Sequence, residues 1–590
     1  MISLKSAVFS LLFLISIKAV GDEPLPFVFK AQQSQLWLNP EWSILNYYDE
    51  NLTSKIRGDH FLAADGNHNA KSELLKTVEL MFYSAPNIQR QTQCKYMLRR
   101  DFLARNLGIP KEQQWDCPEF EDFYRKLAAN EIYLVFASSF LQNPSSTFGH
   151  VLLKFKSERS LGNELIDYGI NFSARTGSDS GALYALKGLF GYFPATYGFA
   201  PYHLLIKEYT DLDGRDIWEL KLNYSPLEIR KILQHVWEME GRYFDYYYLD
   251  DNCAYFILKL LMVARPQLDL VNNEELWVTP KEALEKVYDQ QITTVAKYRS
   301  SLKSEFYQRK NLIDKEPEKL FSNLDNLNSA ELEFLQIYSA IKLSGDSENR
   351  HYKELSYTLA KLRSKRTDRN YFSVQEPQLS SLTSKSLKWN LGLGIRGQNP
   401  TAKFGFRLLQ RSFLDDEPTL TWSALEVLKF DFEANNQNQY YLKKLEVLNV
   451  QSRPPSNYYF SDWSWGINLG MESELSHSEA LVGFLDANAG KSYDLCEGLD
   501  CRFSVLLNLS VWQKYFYPGI NLGYLMQLSP DWKLSSEFKY FDSKKYQASM
   551  NFRYLINSDH SVGLEISHNQ LSRDNESDIS ERAYFVKWMF

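Results

Sequence analysis

"SLKWNLGLGIRG", residues 386–397, alternates strictly between apolar side chains and polar or glycine residues. The two sets are Leu387, Trp389, Leu391, Leu393 and Ile395 against Lys388, Asn390, Gly392, Gly394 and Arg396. A period of two predicts a strand with one apolar face. About a dozen runs of this kind, "RFSVLLNLSVW" and "YQASMNFRY" among them, extend to the end of the chain between short polar turns. The C-terminal region is therefore predicted to be an antiparallel sheet.

Two architectures fit such a sheet. A soluble β-sandwich also alternates, with one inner face to fill. Long runs with Trp and Tyr near their ends favour a membrane barrel, because closure satisfies every backbone group and aromatic girdles flank the apolar band. We predict an antiparallel β-barrel of about 12 strands over residues 379–590, in contact with outer-membrane lipids. The terminal residue, Phe590, resembles the last residue of outer-membrane barrel proteins.

The N-terminal residues have the pattern of an export signal. Lys5 precedes a short apolar run, and the small residues Ala19 and Gly21 follow it. This predicts a signal peptide over residues 1–21, because the run is too short to cross a membrane comfortably; an uncleaved anchor is the other interpretation. With a net charge of -7 and no basic stripe, nothing indicates a nucleic-acid partner. The sequence thus predicts a protein of the cell envelope.

Three further regions lie between the signal peptide and the barrel. The sequence predicts a helical N-terminal domain over residues 22–125, a mixed domain of strands and helices over 126–300, and a charged helical spacer over 301–378. Within the mixed domain, "SPLEIRKILQHVWEMEGRY" has the signature of a helix start. Ser225 is the predicted N-cap and Glu228 completes a capping box. A chain of 590 residues is long enough for several such domains.

The five cysteines divide unevenly. Cys94 and Cys117 are close in sequence, and Cys496 and Cys501 bracket a short polar loop. If an exported chain pairs these two sets, Cys253 is left as an odd thiol. Sequence alone leaves the connectivity open, but these two disulfides are the predicted pairs.

Cys253 stands at the start of the apolar helix predicted from "LDDNCAYFIL", residues 249–258. The preceding Asp and Asn residues are good N-caps, and a helix N-terminus stabilises the thiolate that a nucleophile requires. A buried cysteine is more often structural, and the neighbouring carboxylates oppose ionisation. The unpaired thiol nevertheless makes Cys253 the candidate nucleophile.

His150 begins the apolar strand of "STFGHVLLKF", residues 146–155, and is the candidate base for Cys253. Asp167, in "LIDYGINF", would orient the histidine if the two strands are antiparallel neighbours; a surface carboxylate is the other interpretation. The aromatic segment "GLFGYFPATYGFAPYH", residues 188–203, is either a mobile cover over the site or a packed core loop.

The motifs "SSTFGHVLLKF", "LIDYGINF", "GLFGYFPATYG", "RDIWELKLNYSPLE" and "YYYLDDNCAYFILKLL" together resemble the Lnb N-terminal periplasmic domain family, over residues 126–300. The founding member of that family is a lipoprotein N-acyltransferase, so the resemblance implies cysteine-dependent acyl transfer with Cys253 as nucleophile and His150 as base. The order of histidine strand and cysteine helix is also similar to permuted NlpC-type, papain-like folds. The resemblance therefore implies an α+β papain-like central domain.

We expect an envelope enzyme that transfers or hydrolyses acyl groups through a Cys253 thioester, on a lipid, lipoprotein or peptide amide. It would face the periplasm and be held at the outer membrane by its barrel. One alternative is a peptidoglycan-peptide hydrolase that uses the same residues. Another is a non-enzymatic scaffold or pore, in which Cys253 is unreactive. The sequence implies no metal and no organic cofactor.

Overall fold

The structure is a computed structural model that describes residues 25–589. Short gaps in that description fall at residues 139–148, 161–162, 176, 178–186, 189, 249, 272–276, 311, 314, 367–386, 397–398, 416–422, 437–438, 458, 474–480, 497–499, 513–514, 542–544, 558–559 and 571–578. The predicted signal peptide and Phe590 lie outside the described residues. The chain forms two compact units, residues 1–125 with 231–243 and residues 126–230 with 244–590.

The first unit is helical, as predicted. Its elements are α1 (Pro26–Gln33), α2 (Pro40–Asn46), a two-residue strand β1 (Ile56–Arg57), α3 (Ala70–Phe82), α4 (Pro86–Lys95), α5 (Met97–Leu107) and α6 (Pro118–Leu127). The fully buried Trp42, Leu74 and Phe102 lie in its core. A disulfide joins Cys94 near the end of α4 to Cys117, directly before α6.

The mixed domain of the second unit is built on an antiparallel sheet. Its strands are β2 (Ala129–Ala137), β3 (His150–Ser157), β4 (Tyr168–Ala174), β5 (Phe193–Pro201), β6 (Ile217–Leu222), β7 (Tyr243–Tyr246) and β8 (Thr293–Arg299). They lie in the order β7-β5-β4-β3-β2-β6-β8. The neighbouring pairs are antiparallel throughout.

The helices of this domain are α7 (Tyr202–Ile206), α9 (Cys253–Ala264) and α10 (Pro280–Asp289), and α8 (Pro226–Glu238) begins here and continues into residues 231–243 of the first unit. α7 continues into a π-helical segment over Lys207–Leu212. The predicted capping box is present at α8, where the Ser225 N–H donates to the Glu228 carboxylate over 2.7 Å. The apolar helix α9 packs against β3 and β4. This packing brings its first residue, Cys253, to the sheet.

The predicted spacer has a core of its own. Its helices are α11 (Leu302–Lys310), α12 (Pro317–Leu320), α13 (Ser329–Gly345) and α14 (Arg350–Ser364). Phe306, Phe334 and Tyr338 are buried between them, together with Phe460 from the C-terminal region. The spacer is helical, as its sequence predicts, and apolar residues in α11 and α13 build a small bundle within it. None of the helices in the described part of the chain is long and apolar enough to cross a membrane.

The C-terminal region forms a closed barrel, as the period of two predicted. Its strands are β9 (Lys388–Arg396), β10 (Asn399–Arg411), β11 (Ser423–Asn435), β12 (Tyr440–Ser452), β13 (Ser464–Ser473), β14 (Leu481–Asp494), β15 (Asp500–Trp512), β16 (Tyr515–Gln527), β17 (Trp532–Phe541), β18 (Tyr546–Asn557), β19 (His560–Gln570) and β20 (Ile579–Met589). Each pairs antiparallel with the next, and β9 pairs with both β10 and β20. A disulfide links Cys496 to Cys501 between β14 and β15.

The outer surface of the barrel is apolar, with aromatic residues near both ends. Leu393, Leu507 and Phe538 are among the exposed side chains of the middle belt. Exposed aromatic rings lie near both ends of the strands. At the end that carries the β9–β10 turn these are Tyr440, Tyr515, Phe516 and Tyr540. At the opposite end they are Trp463, Tyr493 and Trp532. An apolar belt between two aromatic girdles is the surface of a membrane-spanning barrel.

The lumen is polar and crossed by ion pairs. Lys403 binds Glu565 over 2.6 Å and Lys539 binds Asp486 over 3.0 Å. The lumen retains a cavity of about 430 Å³ lined mainly by polar and charged residues. The polar alternates of the period-two pattern thus face inward, which is why the alternation was visible in the sequence.

The mixed domain and the spacer are tied to one end of the barrel. Trp277 packs against a cluster that contains Leu409 and Leu425 of the barrel wall. Lys303 of α11 forms a 2.5 Å ion pair with Asp462, in the connection between β12 and β13. These contacts hold the mixed domain and the spacer at one end of the barrel strands.

Candidate active site

The site is built where α9 meets the start of β3. Cys253 is the first residue of α9 and is buried with 1% of its surface exposed. Its sulfur accepts hydrogen bonds from the Val151 backbone N–H and the Tyr246 hydroxyl. Val151 directly follows His150, so the structure brings together the backbone of the candidate base and the candidate nucleophile. Cys253 is the free cysteine that remains beside the two disulfides.

Asn252 explains the Asn-Cys order in the sequence. Its side-chain oxygen accepts from the N–H groups of Ala254 and Tyr255 over 2.9 and 3.2 Å, which caps α9. Its amide nitrogen donates to the Val278 carbonyl oxygen over 2.8 Å and anchors the turn. Among the described residues, no acceptor engages the N–H of Cys253 itself. That N–H is available to bind an oxyanion at the helix start.

Gly149 fixes the start of β3. Its φ of +94° lies in the left-handed region, and a Cβ there would overlap the Phe136 ring and lie 2.8 Å from the Ala137 carbonyl oxygen. Ala137 is also the sheet partner of His150. The glycine therefore lets the backbone turn tightly into the strand that carries the histidine.

Gly149→Ala is expected to displace His150 and to lower Cys253-dependent chemistry at least ten-fold, since the added methyl group meets both a ring and a carbonyl. The matched control is Gly177→Ala: Gly177 has a φ of +61° but nothing within 4 Å of its Cβ position. Both changes cost about 1–2 kcal/mol of backbone strain. The measurement is the yield of acyl adduct on Cys253 per folded molecule. Equal yields in the two variants would contradict the steric role of Gly149.

The imidazole of His150 is buried, and no described residue hydrogen-bonds its Nε2 atom. Burial and the Arg215 guanidinium lower the pKa of His150 to about 3. Burial raises the pKa of the Cys253 thiol, while Val151, Tyr246 and Arg215 act in the opposite direction. In this closed arrangement the two groups are therefore neutral, and no hydrogen bond joins Nε2 of His150 to the Cys253 sulfur.

Asp167 does not lie beside His150. It precedes β4, and its Oδ1 accepts from the Ser157 N–H over 3.1 Å, at the far end of β3. The strands are antiparallel neighbours, but antiparallel pairing sets the beginning of β4 against the end of β3. The two side chains are about 20 Å apart along the strand at 3.3 Å per residue. The structure therefore does not place Asp167 as the orienting partner.

Asp167 belongs instead to a buried ion cluster. Lys154 lies 3.0 Å from Glu219 and 3.7 Å from Asp167, with all three side chains almost completely buried. The Tyr202 hydroxyl donates to Glu219 over 2.9 Å. These contacts stabilise the sheet away from the thiol.

Three residues of the site were not predicted from the sequence: Arg215, Tyr209 and Tyr246. The ring of Tyr209 lies 5.8 Å from that of His150, and Arg215 packs 4.9 Å over the same tyrosine. Tyr209 is in the π-helical segment after α7, and Arg215 lies two residues before β6. An Arg at the head of an apolar strand was the available signal for this cation.

The aromatic segment 188–203 borders the turn that leads to Cys253. A Cβ at Gly188 would overlap the Tyr248 ring, and one at Gly191 would overlap Tyr247. This part of the segment is packed, whereas the side chains of Phe190 and Tyr192 are 66% and 73% exposed. Its described residues thus form a wall of the site with an aromatic outer surface.

Residues 119–290 match the family model of the Lnb N-terminal periplasmic domain, in agreement with the resemblance of the motifs. Residues 34–106 and 381–585 match two families described as domains of unknown function, DUF7843 and DUF7840. No curated protein matches the chain.

Several solved structures match about a third of the chain. The KdgM porin in complex with disordered oligogalacturonate matches with a TM-score of 0.23 and 9% identity, over 34% of this chain and 98% of that chain. The NanC porin gives the same values. Outer membrane phospholipase A from Escherichia coli matches with a TM-score of 0.22 and 10% identity, over 38% and 95% of the two chains. These TM-scores are too low to support an inference, and the barrel rests on its own strand pairing. With the matched periplasmic domain, it makes the chain an outer-membrane protein with a periplasmic domain.

Proposed function

We propose that residues 126–300 are a permuted papain-like thiol domain that transfers or hydrolyses acyl groups through a Cys253 thioester, with His150 as the general base. One observation carries this proposal: the sulfur of the free cysteine accepts a hydrogen bond from Val151, the residue next to His150. A helix that starts at a cysteine and packs on an antiparallel sheet that starts at a histidine supports the papain-like assignment.

The reaction begins with proton transfer from the Cys253 thiol to Nε2 of His150. The thiolate attacks the acyl carbonyl carbon, and the resulting oxyanion accepts from the Cys253 N–H. When the C–O or C–N bond to the leaving group breaks, the alcohol or amine takes the proton from His150. An acceptor amine, alcohol or water then loses a proton to His150, attacks the thioester and restores the thiol.

The barrel supports a membrane lipid as the acyl donor. The thiol domain is tied to the strand ends through Trp277, and the exposed aromatic girdle residues Trp463, Tyr493 and Trp532 lie at that same end. Such girdles mark the headgroup level of a bilayer. The thiol domain is therefore held at the membrane surface, where acyl esters of lipids are concentrated.

The test uses the full-length protein in detergent and phosphatidylethanolamine with radiolabelled acyl chains. We expect label on the protein that survives denaturation, is released by neutral hydroxylamine and maps to Cys253. A parallel incubation contains soluble muropeptides and follows cleavage by mass. Muropeptide cleavage without acyl label would favour the peptidoglycan-peptide hydrolase. No adduct and no cleavage in either arm would refute the enzyme assignment and favour the scaffold.

A further inference from the structure

Arg215 is a buried cation whose side chain donates hydrogen bonds to the backbone at the end of β2, beside the start of β3. Its Nε donates to the Ser138 carbonyl oxygen over 2.6 Å and its Nη2 to that of Ala137 over 3.2 Å. Ala137 is the residue paired with His150 across the sheet. The guanidinium also packs on Tyr209, which contacts the His150 ring. Arg215 is thus held by the same backbone that positions the candidate base.

The charge of Arg215 is only partly neutralised. Asp213 lies 3.6 Å away and its side chain is one-quarter exposed, and Glu208 is a second carboxylate that interacts with the guanidinium. Neutral carbonyl oxygens solvate a guanidinium but do not cancel its charge. A buried charge with so little compensation is costly, and such groups are retained where a site uses their field.

We infer that Arg215 is a positioning residue that stabilises the Cys253 thiolate and aligns His150 through the Ala137 carbonyl. This inference rests on the proposed function. The side chains that act on the Cys253 thiol are Tyr246 on β7, Tyr209 of the π-helical segment and Arg215 itself. Of these, Arg215 is the permanent cation, so it favours the thiolate over the thiol. The same charge makes a protonated His150 a stronger acid toward the leaving group.

The test is the pH dependence of Cys253 alkylation by iodoacetamide in the intact, detergent-solubilised protein, followed by mass spectrometry. Arg215→Gln should move the midpoint of alkylation upward by about one pH unit or more. Arg215→Lys, which keeps the charge, should restore most of that shift. Arg265→Gln is the matched control, because Arg265 also packs on a tyrosine, Tyr224, but at the opposite end of α9.

An unmoved midpoint in Arg215→Gln would overturn the inference, as would protection of Cys253 at every pH in the native protein. A merely structural role predicts lower protein yield with an unchanged midpoint. This test is separable from that of the proposed function. A shifted midpoint without any acyl adduct would support the positioning role of Arg215 and refute the acyl chemistry.

A second, independent observation concerns the barrel end that carries the thiol domain. Residues 412–415 follow β10 and fold into the lumen, where Ser412, Phe413 and Leu414 border its cavity. Asp415, 1% exposed, lies 2.6 Å from Lys388 of β9 and 3.4 Å from Arg553 of β18. The Lys533 ammonium of β17 donates to the Asp415 carbonyl oxygen over 2.5 Å.

These contacts span the lumen. From β10, the closed ring passes through β9, β20, β19 and β18 before it reaches β17. That is five steps around a ring of twelve strands, close to the opposite wall. We propose that residues 412–415 form a plug that closes this end of the barrel, so that the barrel is an anchor with a blind lumen.

The plug is tested by conductance in planar lipid bilayers. The native protein should show little steady conductance. Asp415→Asn removes the charge that holds Lys388 and Arg553 together and should raise conductance several-fold; Lys388→Met should also raise it. Asp486→Asn, which changes a lumen carboxylate on a different strand, is the control and should not. Barrel folding is verified by heat-modifiable electrophoretic mobility. A large open conductance in the native protein, or none in both folded plug variants, would overturn the proposal.

Discussion

Cys253→Ala and His150→Ala are each expected to abolish formation of the acyl thioester while the chain stays folded. The thiol is the atom that forms the bond, so its removal leaves no route to the adduct. Loss of a general base costs about 10²–10⁴-fold. Because both residues serve one step, the double variant should be no worse than the worse single variant. The measurement is hydroxylamine-sensitive label per folded molecule.

Two comparisons make this result specific. Cys253→Ser keeps a similar volume, but a hydroxyl is a much poorer nucleophile without strong base activation, so most activity should be lost. Any ester that forms should resist neutral hydroxylamine. Asp167→Asn changes a carboxylate at the opposite end of β3 and should keep the label per folded molecule. Full activity of Cys253→Ala at normal abundance, or loss caused only by disappearance of the protein, would show that the pair is structural.

The barrel could be predicted from the sequence because successive residues of each strand face the membrane and the lumen in turn. Leu391 and Leu393 face outward and are exposed, while Lys388 and Asn390 face the lumen and are buried. The side that faces the membrane requires apolar side chains and the side that faces the lumen carries ion pairs, so every second residue is apolar. The residues that plug the lumen lie in a connection, where no period exists, so the plug was not foreseen.

The site could be predicted only in part. His150 and Cys253 were identified because a strand start and a helix N-terminus are local features. Asp167 was misplaced because its distance from His150 depends on which ends of two strands meet. Arg215 was missed because burial of a charge is set by tertiary packing, and an Arg before the apolar strand in "GRDIWEL" does not by itself show that its side chain is buried.

Glu73 and Arg99 of the helical unit are a second example of buried charges that the sequence does not reveal. Disruption of this pair should have the largest effect on the stability of the unit. The carboxylate and the guanidinium are fully buried and 2.5 Å apart. Glu73 also accepts from the N–H groups of Leu62 and Ala63, both over 2.8 Å. Burial raises the pKa of Glu73, and Arg99 opposes that shift. From its position in the first turn of α3, the sequence would predict a solvent-exposed Glu73.

Glu73→Gln is expected to destabilise this unit by about 3–5 kcal/mol, because it leaves the Arg99 charge buried without its partner. Amide hydrogen exchange in α3 and α5 of the intact protein should then accelerate by about 10²–10³-fold or more, as local opening follows the lost free energy. The pair of changes Glu73→Gln and Arg99→Met removes both charges and should recover much of the loss.

The control for this prediction lies on the same helix. Lys76 and Glu79 form a 2.8 Å ion pair with 38% and 46% of their side chains exposed. Such surface pairs contribute about 0–1 kcal/mol, so Glu79→Gln should change exchange by a few-fold at most. If Glu73→Gln and Glu79→Gln gave the same exchange rates, the buried pair would not be what holds α3 and α5 together. A larger loss in the double variant than in Glu73→Gln would show instead that the Arg99 side chain acts by packing on Tyr96 and Trp42, over which it lies at 4.4 and 5.8 Å.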